Sequence, residues 1–420
     1  MEPIYKIGIL FALLFGLVSH QKAYSRPLIE GGAERRGSAS LGIVTGLDPA
    51  SLMTNPANLS GRPGLESYAE ASVMKLDASY SHPVQGKFST SVVAPILSSG
   101  LRYGVTERLS LGLFFLPTGA GTRATFSGLP ADITAEDSII VRATASETSY
   151  TTAAGLSYKR GSVNLGLSFG YFYKSQTIKL RNMDPDVNIA DASYSGSAIQ
   201  PKLGGRWASG PIVVAAAYSS GVYRRMSGKG IVIGTPEGEY SRVHPVEYIP
   251  GEIGLGLEIR ASKFQVRIEG SREDYSRGGG KQTTGMGDSD VRQTNLKDVT
   301  NLSASLSLRL EGKSIISTGI SRLAGNMGTG VFPGEGGIDD LGIGGVKFGQ
   351  FENLDRYVVG FGFLRQISKN SNLSVSVSYC EGALDVQERT PGQGKYRLKT
   401  LIGGAGVKFM VNGDTHHIDY

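Results

Sequence analysis

Apolar and polar residues alternate one by one over most of this chain. In Asn301–Leu310, Leu302, Leu306, Leu308 and Leu310 share one face with Ala304, while Ser303, Ser305, Ser307 and Arg309 share the other. In the stretch from Leu373 to Cys380, Leu373, Val375, Val377 and Tyr379 oppose Ser374, Ser376, Ser378 and Cys380. From Leu165 to Lys174, Leu165, Leu167, Phe169, Tyr171 and Tyr173 oppose Gly166, Ser168, Gly170, Phe172 and Lys174. From Ile253 to Arg260, Ile253, Leu255, Leu257 and Ile259 oppose Gly254, Gly256, Glu258 and Arg260. Successive side chains of a strand point to opposite faces, so each segment is a strand with one oily face and one polar or very small face.

The connections carry a second regularity. Short turns fall near Thr106, Gly161, Gly210, Ser262, Gly312 and Asn370. Between them lie the long segments 119–146, 176–194, 221–250, 275–297, 323–354 and 382–398, with a shorter one near 82–91. Six hairpins, one strand before them (66–81) and one after (399–411) predict fourteen strands. An even strand number with short turns at one rim and long loops at the other is the layout of an outer-membrane barrel.

The first residues add a compartment. Lys6 is a positive start, Ile7 to Val18 an uncharged and mostly apolar run, and Ala23-Tyr24-Ser25 a small-x-small cleavage site. Together they predict a secretory signal over Met1–Ser25. The run is shorter than the ~20 residues of a spanning helix. No long apolar stretch follows it, so a helical membrane protein is excluded. Lipid leaves a closed barrel as the remaining way to satisfy the backbone.

Composition agrees without deciding: 59 glycines, 19 tyrosines, 15 phenylalanines and 40% hydrophobic residues. Cys380 is the single cysteine, so no intramolecular disulfide exists. Loss of Lys6, Lys22 and Glu2 with the signal lowers the net charge from +6 to +5. No basic stripe with interleaved aromatics is present, so a nucleic-acid partner is not expected.

Arg26–Leu65 lacks alternation and is rich in Gly, Ala, Ser and Pro. Fourteen strands enclose more space than their own side chains fill, and this segment is the candidate plug. Within it, Asp48-Pro-Ala-Ser-Leu-Met-Thr-Asn-Pro-Ala-Asn-Leu-Ser60 resembles the N-terminal hatch of the FadL/TodX family of hydrophobic-compound transporters. Asn55, Pro56, Ala57 and Leu59 carry the resemblance, and Gly42, Asp48 and Ala50 suit its lead-in. Leu101–Gly112 and the step Pro117-Thr118-Gly119 resemble the second and third strands of that family.

The resemblance implies an all-β, fourteen-stranded transmembrane antiparallel barrel with the hatch inside the lumen. It also implies passive passage of the ligand past the hatch and sideways release through an opening made by a strand distortion. Pro95 and Pro117 lie where such a distortion would fall, because proline removes a ladder donor, or else they sit at strand ends. Family members end on an aromatic residue that closes the last strand. Phe409 fills that role here, or Thr415–Tyr420 begins a further strand. The organisation expected is signal (1–25), hatch (26–65), barrel (66–411) and tail (412–420).

Candidate chemistry is sparse. Asn55, Pro56, Ala57 and Leu59 are the hatch and ligand-path candidates; a plain turn that anchors the plug is the other reading. Arg206, Arg260, Arg267 and Arg309 face the lumen by alternation, with Lys202 and Lys408, and could meet a ligand carboxylate. Glu258 and Glu269 offer such cations partners across the strands. Ile231–Ile233, Ile139–Val141 and Val331-Phe332 are apolar runs, either tail-binding loops or upper strand ends.

Gly312-Lys313-Ser314 has Ser307 where the first glycine of a P-loop belongs, and falls on a strand turn. Asp184, Asp186 and Asp191 lack EF-hand spacing. His20, His82, His244, His416 and His417 accompany no nucleophile motif. The resemblance, with the barrel layout, implies a non-enzymatic channel for long-chain fatty acids or similar molecules, without cofactor, monomeric, in contact with outer-membrane lipid. A general porin and a related barrel serving protein export or surface attachment are the alternatives.

Overall fold

The computed structural model describes residues 32–44, 46, 48–59, 63–82, 86–132, 138–183, 186–232, 241–243, 246–278, 298–325, 354–386 and 394–411. The signal segment, Asp184, Ile233, His244, Val331-Phe332 and the tail from Asn412 lie outside them.

Seventeen strands form one antiparallel sheet: β1 (Gly64–His82), β2 (Gly86–Gly104), β3 (Leu109–Asp132), β4 (Ser138–Arg160), β5 (Val163–Met183), β6 (Asp186–Ser209), β7 (Ile212–Ser219), β8 (Val222–Val232), β9 (Ser241–Val243), β10 (Val246–Ile249), β11 (Glu252–Arg260), β12 (Phe264–Glu273), β13 (Val299–Leu310), β14 (Ser314–Leu323), β15 (Arg356–Ser368), β16 (Ser371–Val386) and β17 (Gly394–Val411). β7 and β8 form one stave, and β9, β10 and β11 another, so the wall has fourteen staves. β1 pairs with β17 from Leu65↔Val411 to Ser81↔Lys395, and this ladder closes the barrel. β17 is thus the closing strand, with Phe409 near its end. The six short turns fall where expected, at residues 105–108, 161–162, 210–211, 261–263, 311–313 and 369–370.

Several expected loops are instead strand. β3 and β4 pair out to Asp132↔Ser138, and β5 and β6 out to Met183↔Asp186, so the segments 119–146 and 176–194 are mostly tall hairpins. β8 and β10 likewise occupy much of 221–250. The oily face ends before the ladder does, and hydrophobic alternation marks only the first of these limits. Backbone pairing continues wherever the neighbouring strand continues.

Burial is inverted relative to a water-soluble sheet. On β13, Leu302, Leu306 and Leu308 are 54%, 39% and 43% exposed, while Ser303, Ser305 and Ser307 are 6%, 7% and 3% exposed. Every stave carries large apolar side chains on its outer face. An outer surface of that kind is stable against lipid rather than water, since each large aliphatic group left in water forgoes about 1.5–3 kcal/mol. Tyr103, Tyr158, Trp207, Phe264 and Phe409 ring the short-turn rim. Towards the other rim, Tyr150 stacks on Tyr173 (ring centroids 4.8 Å apart) and Tyr223 meets Tyr248 (5.1 Å). Two aromatic girdles around an apolar belt mark the two membrane interfaces.

Besides single register shifts at Leu180/Arg181 and Gln366/Ser368, the described part of the wall departs from regularity twice. β2 and β3 pair only from Gly104↔Ser110 to Ser99↔Phe115. Beyond that point β2 stays with β1, and β3 stays with β4 through register shifts at Pro117/Gly119, Ala120/Thr122 and Phe126/Leu129. Pro95 lies inside β2 and Pro117 inside β3, so neither sits at a strand end. A residue without an N–H cannot donate to a ladder, and the seam opens beside both prolines.

The second departure is a crease. Ser220-Gly221 and Pro250-Gly251 interrupt two adjacent staves at the same height. There the Gln200 amide substitutes for the ladder, donating to the carbonyls of Ser220 (2.8 Å) and Pro250 (2.9 Å). The Asp274 carboxylate accepts from the Gly251 N–H (2.5 Å) and the Tyr248 hydroxyl (3.1 Å).

Candidate functional site

The described part of the N-terminal segment lies inside the barrel. α1 (Gly32–Gly37) packs on β14 to β17, and two 3-10 turns, Pro49–Met53 and Pro56–Leu59, pack on β2 to β6. The wall accepts the backbone this closely because glycine stands at the contact points. A β-carbon on Gly319 or Gly360 would overlap the carbonyl oxygens of Ser38 or Arg36. On Gly166 it would overlap the Pro56–Ala57 peptide, and on Gly204 the Asn55 side chain. The very small inner faces read in the sequence are thus docking surfaces for the segment.

Asn55, Pro56 and Ala57 come together on β5 and β6 and Leu59 lies against Gly112 of β3, all buried. Asn55 Nδ2 donates to the carbonyls of Ile43 (2.8 Å) and Gly205 (3.3 Å), and Asn55 Oδ1 accepts from the Ala57 N–H (3.1 Å). Asn58 Nδ2 donates to the same Ile43 carbonyl (3.1 Å), and Thr54 Oγ1 to that of Gly42 (2.8 Å). Ser168 of β5 donates to the Leu52 carbonyl (2.8 Å). The motif therefore folds the segment back on itself and ties it to the wall.

Two buried carboxylates hold the rest. Glu269 of β12 accepts from Ser40 Oγ (2.6 Å) and from the N–H groups of Leu41 (2.7 Å), Gly42 (3.2 Å) and Val44 (2.8 Å). Ser303 Oγ of β13 adds a fifth donor (3.2 Å). Across the lumen, Glu70 of β1 takes the Arg36 guanidinium, the Tyr68 hydroxyl and Ser72 Oγ. Asp48 caps the first 3-10 turn through the Ala50 N–H (2.9 Å). Burial pushes its carboxyl up to about 7, against the attraction of Lys408.

Arg260, Arg267, Lys202 and Lys408 are already engaged by carboxylates, whereas the buried Arg206 Nε has no hydrogen-bond partner among the described residues. Glu258 accepts from both Arg260 and Arg267, each at 2.5 Å, and Arg206 lies in the field of the same cluster. Arg267 also reaches Gln265 (2.8 Å) and Ser307 (3.2 Å). Lys202 pairs with Glu252 (3.3 Å), and Lys408 with Glu66 (3.0 Å). Arg309 is exposed at the rim next to the 311–313 turn, apart from the others. Glu258 thus pairs across strands as its position suggested, whereas Glu269 spends its acceptors on the inner segment.

Two apolar surfaces face the lumen. Met74, Ile96, Phe114 and Leu116, all buried, line the inner side of β1 to β3 where the β2–β3 ladder stops. A cavity of about 60 Å³ lies between the inner segment and the wall formed by β5 to β7 and β11 to β13. Leu41, Ile43, Leu52, Met53 and Phe172 give it an apolar side, and Gln200, Lys202 and Glu252 a polar one.

Comparison of the whole architecture with solved structures finds relatives over nearly its full length. A Pseudomonas aeruginosa FadL homologue matches with a TM-score of 0.67, covering 92% of this chain and 98% of its own, at 12% identity. This chain has the FadL/TodX fold. The Pseudomonas putida toluene transporter TodX matches with a TM-score of 0.59 over 93% of this chain and 100% of its own, at 13% identity. The Ralstonia pickettii toluene transporter TbuX matches at 0.56 over 91% and 99%, at 14% identity. No protein-family model and no curated protein matches the sequence.

Within this fold, sequence reasoning missed Glu269 as the anchor of the inner segment and Gln200 as the bridge over the crease. A carboxylate on a lumen face beside Gly270 was the only local sign of the first. Pro250-Gly251, reading as the end of a loop, was the only sign of the second.

Proposed function

We propose that this protein is an outer-membrane channel for passive uptake of small hydrophobic molecules, with long-chain fatty acids and monoaromatic hydrocarbons as the candidate substrates. The ligand is captured at the outer rim, moves past the Gly32–Leu59 segment, and leaves sideways into the bilayer between β2 and β3. One observation carries this reading. The wall ladder ends at Ser99↔Phe115 beside Pro95 and Pro117, where Met74, Ile96, Phe114 and Leu116 turn an apolar surface to the lumen. Release at that height delivers an apolar solute straight into hydrocarbon without crossing water, which removes the transfer cost of its apolar surface. The similarity to toluene transporters and to a FadL homologue supports the substrate class. An inner segment tied to walls on both sides of the lumen favours a hydrophobic channel over an open porin. The paired cations near Glu258 become carboxylate contacts only for a ligand that displaces Glu258.

The test is uptake of labelled palmitate and of labelled toluene by cells lacking their own transporters, producing this protein or its Ile96→Asp variant. A charge on the exit surface is expected to cut uptake at least about tenfold while the barrel still inserts, since partly buried charge costs more than 1.4 kcal/mol. Equal uptake by the variant would remove the seam from the route. No uptake of either compound by the unaltered, inserted barrel would overturn the substrate class.

A further inference from the structure

The cavity between the inner segment and the wall, at about 60 Å³, is smaller than the roughly 150 Å³ of a dry protein cavity that admits benzene. A ligand of even that size must push its lining aside. The wall side of the lining is held by the ladders of β5 to β7 and, at the crease, by the Gln200 amide on the Ser220 and Pro250 carbonyls. The yielding side is the inner segment, whose Leu41 and Ile43 reach into the cavity.

Asn55, Asn58 and Thr54 hold the carbonyls of the backbone that carries those two side chains, while its N–H groups converge on a single wall residue. Glu269 is 2% exposed, and four of its five donors come from residues 40–44. The cation nearest in sequence on the same face, Arg267, is bound to Glu258, Gln265 and Ser307. Arg267 acts on the Glu269 charge only through space, and the hydrogen bonds to that charge come from the loop N–H groups, Ser40 Oγ and Ser303 Oγ, an anion nest. Hydrogen bonds to a charged acceptor are roughly twice as strong as those between neutral groups. The loop cannot leave without stripping the carboxylate of all four donors at once.

The geometry points to Glu269 as the latch that sets how often the 40–44 loop of the inner segment swings away from the wall, so that ligand passage is gated at this carboxylate. It is a positioning residue, acting through Leu41 and Ile43 on the space a ligand enters. This rests on the reading of the lumen as a ligand path, but the latch can be tested without any hydrophobic ligand. Glu269→Gln keeps the shape while replacing one acceptor oxygen by an NH2 group that faces the loop N–H groups. Ser40→Ala removes one donor and leaves the carboxylate in place.

The experiment uses the full chain in planar bilayers with potassium chloride, read as the frequency of channel openings. A parallel measurement follows maleimide labelling of Leu41→Cys in a Cys380→Ala background, with the folded barrel verified by its heat-modifiable gel mobility. Glu269→Gln is expected to raise both opening frequency and labelling rate by about tenfold or more, from the loss of charge-assisted bonds. Ser40→Ala is expected to shift both in the same direction by a smaller factor. Unchanged openings and labelling in a folded Glu269→Gln barrel would overturn the latch. Should Glu269→Gln fail to insert, Ser40→Ala decides: no change in either readout counts against the proposal. A latch that responds as expected in a protein that takes up neither palmitate nor toluene would leave the latch standing and remove the substrate class.

Discussion

Asn55 offers the sharpest test of how the inner segment is held. Its side chain is fully buried and makes three hydrogen bonds, two donated to the Ile43 and Gly205 carbonyls and one accepted from the Ala57 N–H. In Asn55→Ala, the Ile43 carbonyl keeps the Asn58 amide at 3.1 Å. The Asn55 bonds to the Ile43 and Gly205 carbonyls and from the Ala57 N–H are all lost. Each buried bond lost costs about 1 kcal/mol net. The sum is about 3 kcal/mol against the packed segment, or roughly a hundredfold rise in its open population at 1.4 kcal/mol per factor of ten. Amide hydrogen exchange of the folded protein in detergent reads this directly. The amides of residues 50–58 should exchange about a hundredfold faster, while those of β12 and β13 keep their protection. Asn55→Asp should be worse than Asn55→Ala, because it turns an acceptor toward two carbonyl oxygens. Exchange of the Ala57 amide within about twofold of the unaltered protein would refute the assignment of Asn55 as the tie.

Two further outcomes follow from other parts of the lumen. Gln200→Leu leaves the Ser220 and Pro250 carbonyls without their shared donor, so the crease should loosen by about 1–3 kcal/mol. Faster exchange at residues 221–224 and a lower temperature of heat-modifiable unfolding would register it; an unchanged barrel would show that the crease does not need the amide. Asp48 gives a pH dependence of definite sign. With its carboxyl raised from 3.8 to about 7, the packed segment binds the proton more tightly than the open one. Packing should therefore weaken as pH rises from about 4 to about 7 and level off above that. Asp48→Asn, still able to cap through its side-chain oxygen, should flatten this part of the profile in the same exchange measurement, and an unaltered slope would count against it.

Much of the barrel is legible in the chain because its signals are local. Which face of β13 meets lipid follows from the alternation of Leu302, Leu306 and Leu308 with Ser303, Ser305 and Ser307, and needs no knowledge of neighbours. The six short turns and the count of fourteen staves follow from the same period and from residues such as Gly161, Gly210 and Gly312, which all adopt positive φ at the turns. The likeness of Asn55-Pro56-Ala57 to a hatch also sits within a few residues, and those residues do bond to one another.

What the tertiary structure decided has partners far away in sequence. Glu269 looked like a partner for lumen cations because its neighbours along the strand are Arg267 and Ser271. Four of its five donors lie 225 to 229 residues earlier, and only the entry of the inner segment into the lumen brings them within 3.2 Å. The heights of the outer hairpins and the place where β2 and β3 part were hidden for the same reason. A ladder ends where its neighbour's donors and acceptors end, and Pro95 and Pro117 become a seam only when two strands must share an edge. Alternation therefore determined the wall, its faces and its strand number. The register of distant backbones decided what holds the lumen shut and where the wall is open, because hydrogen bonds across a barrel depend on positions that no local pattern encodes.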